Sequence, residues 1–94
     1  MNDHTPEVHH RPHLHRFECL MEGQMSVCEY RLADGVMLMT HTEVPVVLEG
    51  RGIAAALVRA ALAHAEREGL KVRPLCSYVG SYMRRHPETE SLRA

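Results

Sequence analysis

The chain has no tryptophan, one phenylalanine and three tyrosines, so aromatic residues make up only 4% of its 94 positions. A core with so few large rings must be aliphatic, drawn from leucine, valine, six methionines and a run of alanines. An excess of one charge is lacking too. Eleven basic residues stand against twelve acidic ones, for a net charge of −1. Apart from the Arg84–Arg85 pair there is no basic stripe, which argues against nucleic acid as a partner. No apolar run approaches the roughly twenty residues of a membrane-spanning helix, and the polar N-terminus is not a signal peptide. No membrane partner is therefore expected. Cysteines are few and odd in number: Cys19, Cys28 and Cys76 do not pair as a disulfide framework and lack the CxxC spacing of a zinc site. A reducing cytoplasm is the simplest expected location.

What is present suffices for one domain. Residues 1–14 carry His4, His9, His10 and His13 and follow neither the strand nor the helix period, so they read as a flexible His-rich tail. Imidazoles are common transition-metal ligands. No acid or thiol accompanies them at structural-zinc spacing, and no metal is expected. The domain proper spans 15–94. Its first run, Arg16–Met21, puts Phe17, Cys19 and Met21 on one face, and Glu22-Gly23-Gln24 turns the chain. In the second, Met25–Leu32, Cys28 and Tyr30 share a face. Asp34-Gly35 supplies the positive φ of a hairpin turn. In the third, Val36–Val44, simple alternation sets Val36, Leu38, Thr40, Thr42 and Val44 against Met37, Met39, His41 and Glu43. Turns this short impose an antiparallel meander.

Pro45 cannot donate to a ladder and ends it. The clearest helix follows, from Ile53 to about Glu68, with seven alanines between positions 54 and 65. Ile53, Leu57, Ala61 and Ala65 recur every four residues, with Val58 and Leu62 beside them, giving a broad face of little bulk. Gly69 stops it. Leu70–Leu75 reads as a strand reached by a right-handed crossover, hence parallel. A last helix runs from Tyr78 to about Arg85, with Pro87 forbidding its continuation. The fold class is α/β of the α+β kind: an antiparallel three-strand meander, then helix, strand and helix.

The sharpest chemical feature is Glu49-Gly50-Arg51-Gly52-Ile53-Ala54, between a strand and a strong helix. Glycines let backbone approach a ligand, and the first N–H groups of a helix have no internal partner. A phosphate suits such a place. Without Gly-Lys-Ser/Thr, a nucleotide P-loop is excluded. Gly50, Gly52 and Ala55 satisfy a dinucleotide fingerprint on paper, but the preceding strands are antiparallel and no acid follows about twenty residues on. A coenzyme A pyrophosphate loop is the remaining choice.

At this point four blocks in order resemble a known family. His41-Thr42-Glu43-Val44-Pro45, Glu49-Gly50-Arg51-Gly52-Ile53-Ala54, Pro74-Leu75-Cys76-Ser77-Tyr78 and Arg84-Arg85-His86-Pro87-Glu88 are similar to the short, single-domain GCN5-related N-acetyltransferase-like proteins. The similarity runs from about Arg16 to Glu88. It implies a truncated acyl-CoA N-acyltransferase fold that binds acetyl-CoA as cosubstrate and transfers the acetyl group to an amine, either a small molecule or a peptide. Gly52 and Ala54 fall on the last two fixed positions of the motif Q/R-x-x-G-x-G/A. Glu49 stands at the first, where larger members carry Arg or Gln. The extra helices and final strands that form the acceptor pocket of larger members are absent. Either a partner subunit, as in a homo-oligomer, completes the site, or a peptide lies across an open groove.

The resemblance and the residues together nominate a site. Backbone around Val44, Val46 and Val47 is expected to bond the pantetheine arm as a pseudo-strand. Gly50, Arg51, Gly52, Ile53 and Ala54 form the diphosphate seat. Cys76, at a strand end beside a helix N-terminus, is expected to have a lowered thiol pKa and either to accept the acetyl group or to protonate the departing thiolate. Tyr82 matches a helix tyrosine that serves as the acid in larger members. His41 and Glu43, two residues apart, are candidate bases. The alternative is a non-catalytic module that binds coenzyme A or a protein through the same groove. A metal-binding role of the His-rich segment is a third.

Overall fold

The computed structural model describes residues 5–94. Its elements are β1 (His9–Arg11), β2 (Arg16–Met21), β3 (Gln24–Ala33), β4 (Val36–Glu43), α1 (Ile53–Arg67), β5 (Lys71–Pro74) and α2 (Ser77–Arg85), with 3₁₀ turns at Pro12–Leu14, Val46–Leu48 and Pro87–Leu92. The five strands form one sheet in the order β1-β2-β3-β4-β5. The pairs are antiparallel except β4–β5, which is parallel. The meander, the crossover helix and the parallel last strand thus follow the sequence pattern.

A single aliphatic core lies between the sheet and α1 and α2. Ile53, Leu57, Val58, Ala61 and Ala65 of α1 are buried against Phe17, Cys19, Cys28 and Tyr30 of the sheet and Val79 and Met83 of α2. Alanines on the inner face of α1 let its backbone approach the sheet closely, while Met37 and Met39 fill the uneven space beneath. Cys19 and Cys28 are buried and free, as core residues would be.

Residues 9–14, read from sequence as part of a flexible tail, are instead a strand and a turn. Three residues are too few to show a period, and β1 is fixed by pairing and by one ring. His10 stacks on Phe17 at 4.1 Å between centroids, packs edge-on to His64 at 4.4 Å, and is hydrogen-bonded to the Tyr30 hydroxyl at 2.6 Å. Of the other tail histidines, His9 lies 3.6 Å from Glu7, and His4 falls outside the described residues. Among the described residues no three His, Cys, Asp or Glu side chains converge to hold a metal ion. No helix among them is long and apolar enough to cross a membrane.

A β-bulge in β4 decides which side chains face the core. Glu29 pairs with His41 but Tyr30 pairs with Met39, leaving Thr40 as the extra residue. Up to Met39 the alternation expected from sequence holds, with Met37 and Met39 buried. Beyond Thr40 it reverses. Thr42 turns inward to Cys28 and Cys76, whereas His41 and Glu43 are exposed on the outer face and paired with each other at 3.1 Å.

Candidate functional site

The ladder between β4 and β5 ends at Met39 and Pro74, yet β4 continues to Glu43. The amides of Leu75 and Cys76 both donate to the Met39 carbonyl, at 3.0 and 2.9 Å, and the chain then leaves the sheet for α2. The two strands therefore part at this point. A cavity of about 560 Å³ opens along the diverging backbone, lined by Thr42, Val44, Leu48, Gly50, Gly52 and Tyr78 among others. Its apolar floor includes Leu48, a buried residue that pins the Val46–Leu48 turn.

One end of the cavity is the turn into α1. Gly50 and Gly52 have φ of 85° and 79°, a region that costs other residues about 1–2 kcal/mol. The first helical bond runs from the Ala56 amide to the Gly52 carbonyl at 3.0 Å. Among the described residues, no backbone bond of this turn uses the amides of Gly50, Arg51, Gly52, Ile53, Ala54 or Ala55. Those donors, with the positive end of a 15-residue helix, make a seat suited to an anion. A Cβ added at Gly50 or Gly52 would meet nothing within 4 Å, so glycine serves the backbone angle here, not space.

Behind the lining residue Thr42 lies Cys76. It occupies the N-cap of α2, and its thiol donates to Thr42 Oγ1 at 3.6 Å. The Thr42 hydroxyl in turn donates to Cys28 Sγ at 3.8 Å. Burial pushes the Cys76 thiol up, but the Val79 amide, the Thr42 hydroxyl and the amides of Tyr78 and Thr42 outweigh it. The net shift is downward from the ordinary thiol value. Cys28, deep in the core, is pushed up to about 11, chiefly by burial. The thiol whose pKa is shifted downward is thus the one behind the cavity wall.

Of the residues nominated from sequence, Val44, Gly50, Gly52, Ile53 and Ala54 line the cavity, and Cys76 touches its wall through Thr42. Glu43 also lines it, and its carboxylate lies 3.1 Å from the His41 ring on the exposed outer face, away from the Cys76 sulfur. Val46 and Val47 are not extended backbone. They form a 3₁₀ turn with side chains 79% and 64% exposed and offer no strand edge. Arg51 is held by Glu22 of the β2–β3 turn and lies 3.9 Å from Met21 Sδ. Tyr82 is buried on the far side of α2, stacked on His86 at 4.1 Å, and borders a separate groove with Arg59 and Glu88. Sequence reasoning missed Thr42, because the bulge is invisible to a period-two count. It also missed Tyr78, whose place in the first turn after Cys76 could have signalled it.

The profile described as GCN5-related N-acetyl-transferase matches residues 16–92, most of the chain. The chain belongs to the GCN5-related N-acetyltransferase family. In this family member's fold, the solution NMR structure of a GCN5-like protein from Staphylococcus aureus superimposes with a TM-score of 0.75. That match covers 94% of this chain and 87% of that one at 21% identity, which speaks to the fold alone. Among curated relatives, Protein NATD1 of Gallus gallus, of Mus musculus and of Homo sapiens are each 43% identical over 49 residues. The matched stretch is 52% of this chain and 44% of the chicken protein, so less than half of that relative's length is covered.

Proposed function

We propose that this chain is an acetyl-CoA-dependent N-acetyltransferase in which Cys76 carries the acetyl group. The observation behind this reading is the cavity that joins two features: unengaged amides at residues 50–55 and a thiol of lowered pKa held at the wall by Thr42. The amides of Gly50 to Ala55 would hold the diphosphate at the helix start. Backbone of β4 beyond Met39, unpaired on the β5 side among the described residues, would hold the extended pantetheine arm as an added strand. Apolar Leu48 and Val44 exclude water along its path.

In this scheme the Cys76 thiolate attacks the acetyl carbonyl and the coenzyme thiolate leaves, taking a proton from solvent. An incoming amine then attacks the acetyl group on Cys76. The amide forms, the amine loses a proton to solvent, and the Cys76 thiolate is restored. Glu49 beside the amides and the Arg51–Glu22 pair leave little free positive charge at the seat. That favours a second outcome, modest binding of coenzyme A without turnover.

The test is thermal melting with and without acetyl-CoA, followed by intact mass after incubation. Acetyl-CoA at one hundred times its dissociation constant adds about 2.7 kcal/mol. The expected results are a raised melting temperature and an acetyl adduct that is absent from Cys76→Ala. No shift at millimolar acetyl-CoA would overturn the reading, and a shift without adduct or turnover on an amine panel would leave the binding module.

A further inference from the structure

We infer that Thr42 is a positioning residue for Cys76, its hydroxyl holding the sulfur at the cavity wall and stabilising it as thiolate. The geometry sets Thr42 Oγ1 between two sulfurs, 3.6 Å from Cys76 and 3.8 Å from Cys28. A hydroxyl has one hydrogen to give and two lone pairs to receive. While Cys76 is a thiol, its S–H donates to Thr42 and the Thr42 hydrogen points to Cys28. When Cys76 loses its proton to solvent, the hydroxyl rotates to donate to the Cys76 thiolate. Cys28 keeps its own proton, because burial holds it neutral through the working range, and its S–H then donates to the vacated lone pair. One torsion thus converts a hydrogen-bond acceptor for the thiol into a donor for the thiolate, with every polar atom of the row still engaged.

No charged side chain competes for that task. From β3 the facing group is neutral Cys28, and Glu29 lies on the outer face opposite His41. From β4, His41 and Glu43 are turned outward and paired. From α2 the sulfur meets the amides of Tyr78 and Val79, and on the cavity wall the nearest carboxylate of the α1 turn belongs to Glu49. With Thr40 in the strand, the β-bulge is what keeps Thr42 facing inward.

The inference gains its catalytic meaning from the acetyl-transfer reading, but its test uses no coenzyme. The rate of Cys76 alkylation by iodoacetamide is followed against pH in the full chain, with the labelled peptide identified by mass, for wild type, Thr42→Val, Thr42→Ser and Thr42→Ala. Val keeps the branched shape a strand favours, and Ala gives the same readout should Val pack poorly. A hydrogen bond to the charged form is worth about one pKa unit or more. The expected result is a midpoint raised by about one unit in Val and Ala, with roughly tenfold slower labelling near neutrality, and a Ser variant close to wild type. Unchanged midpoints in Val and Ala, or a Ser variant shifted as far as Val, would overturn the role. Failure of acetyl-CoA to raise the wild-type melting temperature would sink the transfer reading and leave this result standing.

Discussion

Replacing Gly52 by Ala separates the shape of the helix entry from the fold's general stability. Gly52 has φ of 79° and an empty surround, so the new methyl meets no atom within 4 Å and the whole cost is backbone strain. That strain is about 1–2 kcal/mol. For a domain of this length each kcal/mol lowers the melting temperature by about 4–8 °C. Gly69 provides the matched control. Its φ is 70°, its surround is equally empty, and it lies past the far end of α1, roughly 25 Å away at about 1.5 Å per residue. Both variants are expected to melt lower by similar amounts in the apo state, measured by circular dichroism. Their ligand responses should differ. Relief of strain at Gly52 rotates the amides of residues 50–53 away from the cavity, so the added stability from saturating acetyl-CoA shrinks well below about 2.7 kcal/mol. Gly69→Ala should retain it in full. Equal ligand responses in the two variants would refute the assignment of the α1 entry as the diphosphate seat.

Other expectations follow from side chains already placed. Tyr78→Phe should alter acetyl-CoA binding or turnover because Tyr78 lines the cavity, whereas Tyr82→Phe should leave both near wild type. Steady-state kinetics with the two variants side by side decides it. The Glu18 carboxylate is buried and held below its ordinary value, chiefly by the Arg16 guanidinium at 2.7 Å, with burial opposing and Arg11 at 3.1 Å assisting. A depressed carboxylate contributes stability that is full above the ordinary carboxylate range and fades as pH falls through the lowered value. Glu18→Gln should therefore cost about 1–3 kcal/mol near neutrality in urea unfolding and much less in acid. His10 is shifted down by burial first and then by His64 and Arg67, so its contribution is present above the ordinary imidazole range and lost on acidification. Protection factors of the β1 amides, measured against the intrinsic exchange rate at each pH, should fall as pH drops through that range, and unchanged protection would count against the docking of His10.

Much of the architecture could be read from residue order because the relevant signals are local. Asp34-Gly35 fixes a hairpin, the four-residue recurrence of Ile53, Leu57, Ala61 and Ala65 fixes a helix, and Pro45 and Gly69 mark ends. The α1 entry was equally legible, since Gly50 and Gly52 both take the positive φ that their type permits. Three parts of the site were not. The inward turn of Thr42 depends on Thr40 being left out of the β3–β4 register, a cross-strand event with no signature in one strand. The Val46–Leu48 turn looks like continued strand because valines favour extended backbone, but the buried Leu48 anchor curls it. Strand β1 rests on the ring of His10, and a lone imidazole in a polar stretch gives no hint that Phe17, Tyr30 and His64 will surround it.

The bulge in β4 also makes position 40 dispensable to the protein's reactivity. Thr42 stands opposite the buried Cys28 and His41 opposite Glu29, with Thr40 unpaired between two regular stretches. Loss of Thr40 would straighten the strand to plain alternation, with Met39 inward, His41 outward and Thr42 inward. One in-frame deletion would thereby erase the irregularity while leaving the hydroxyl against the sulfur.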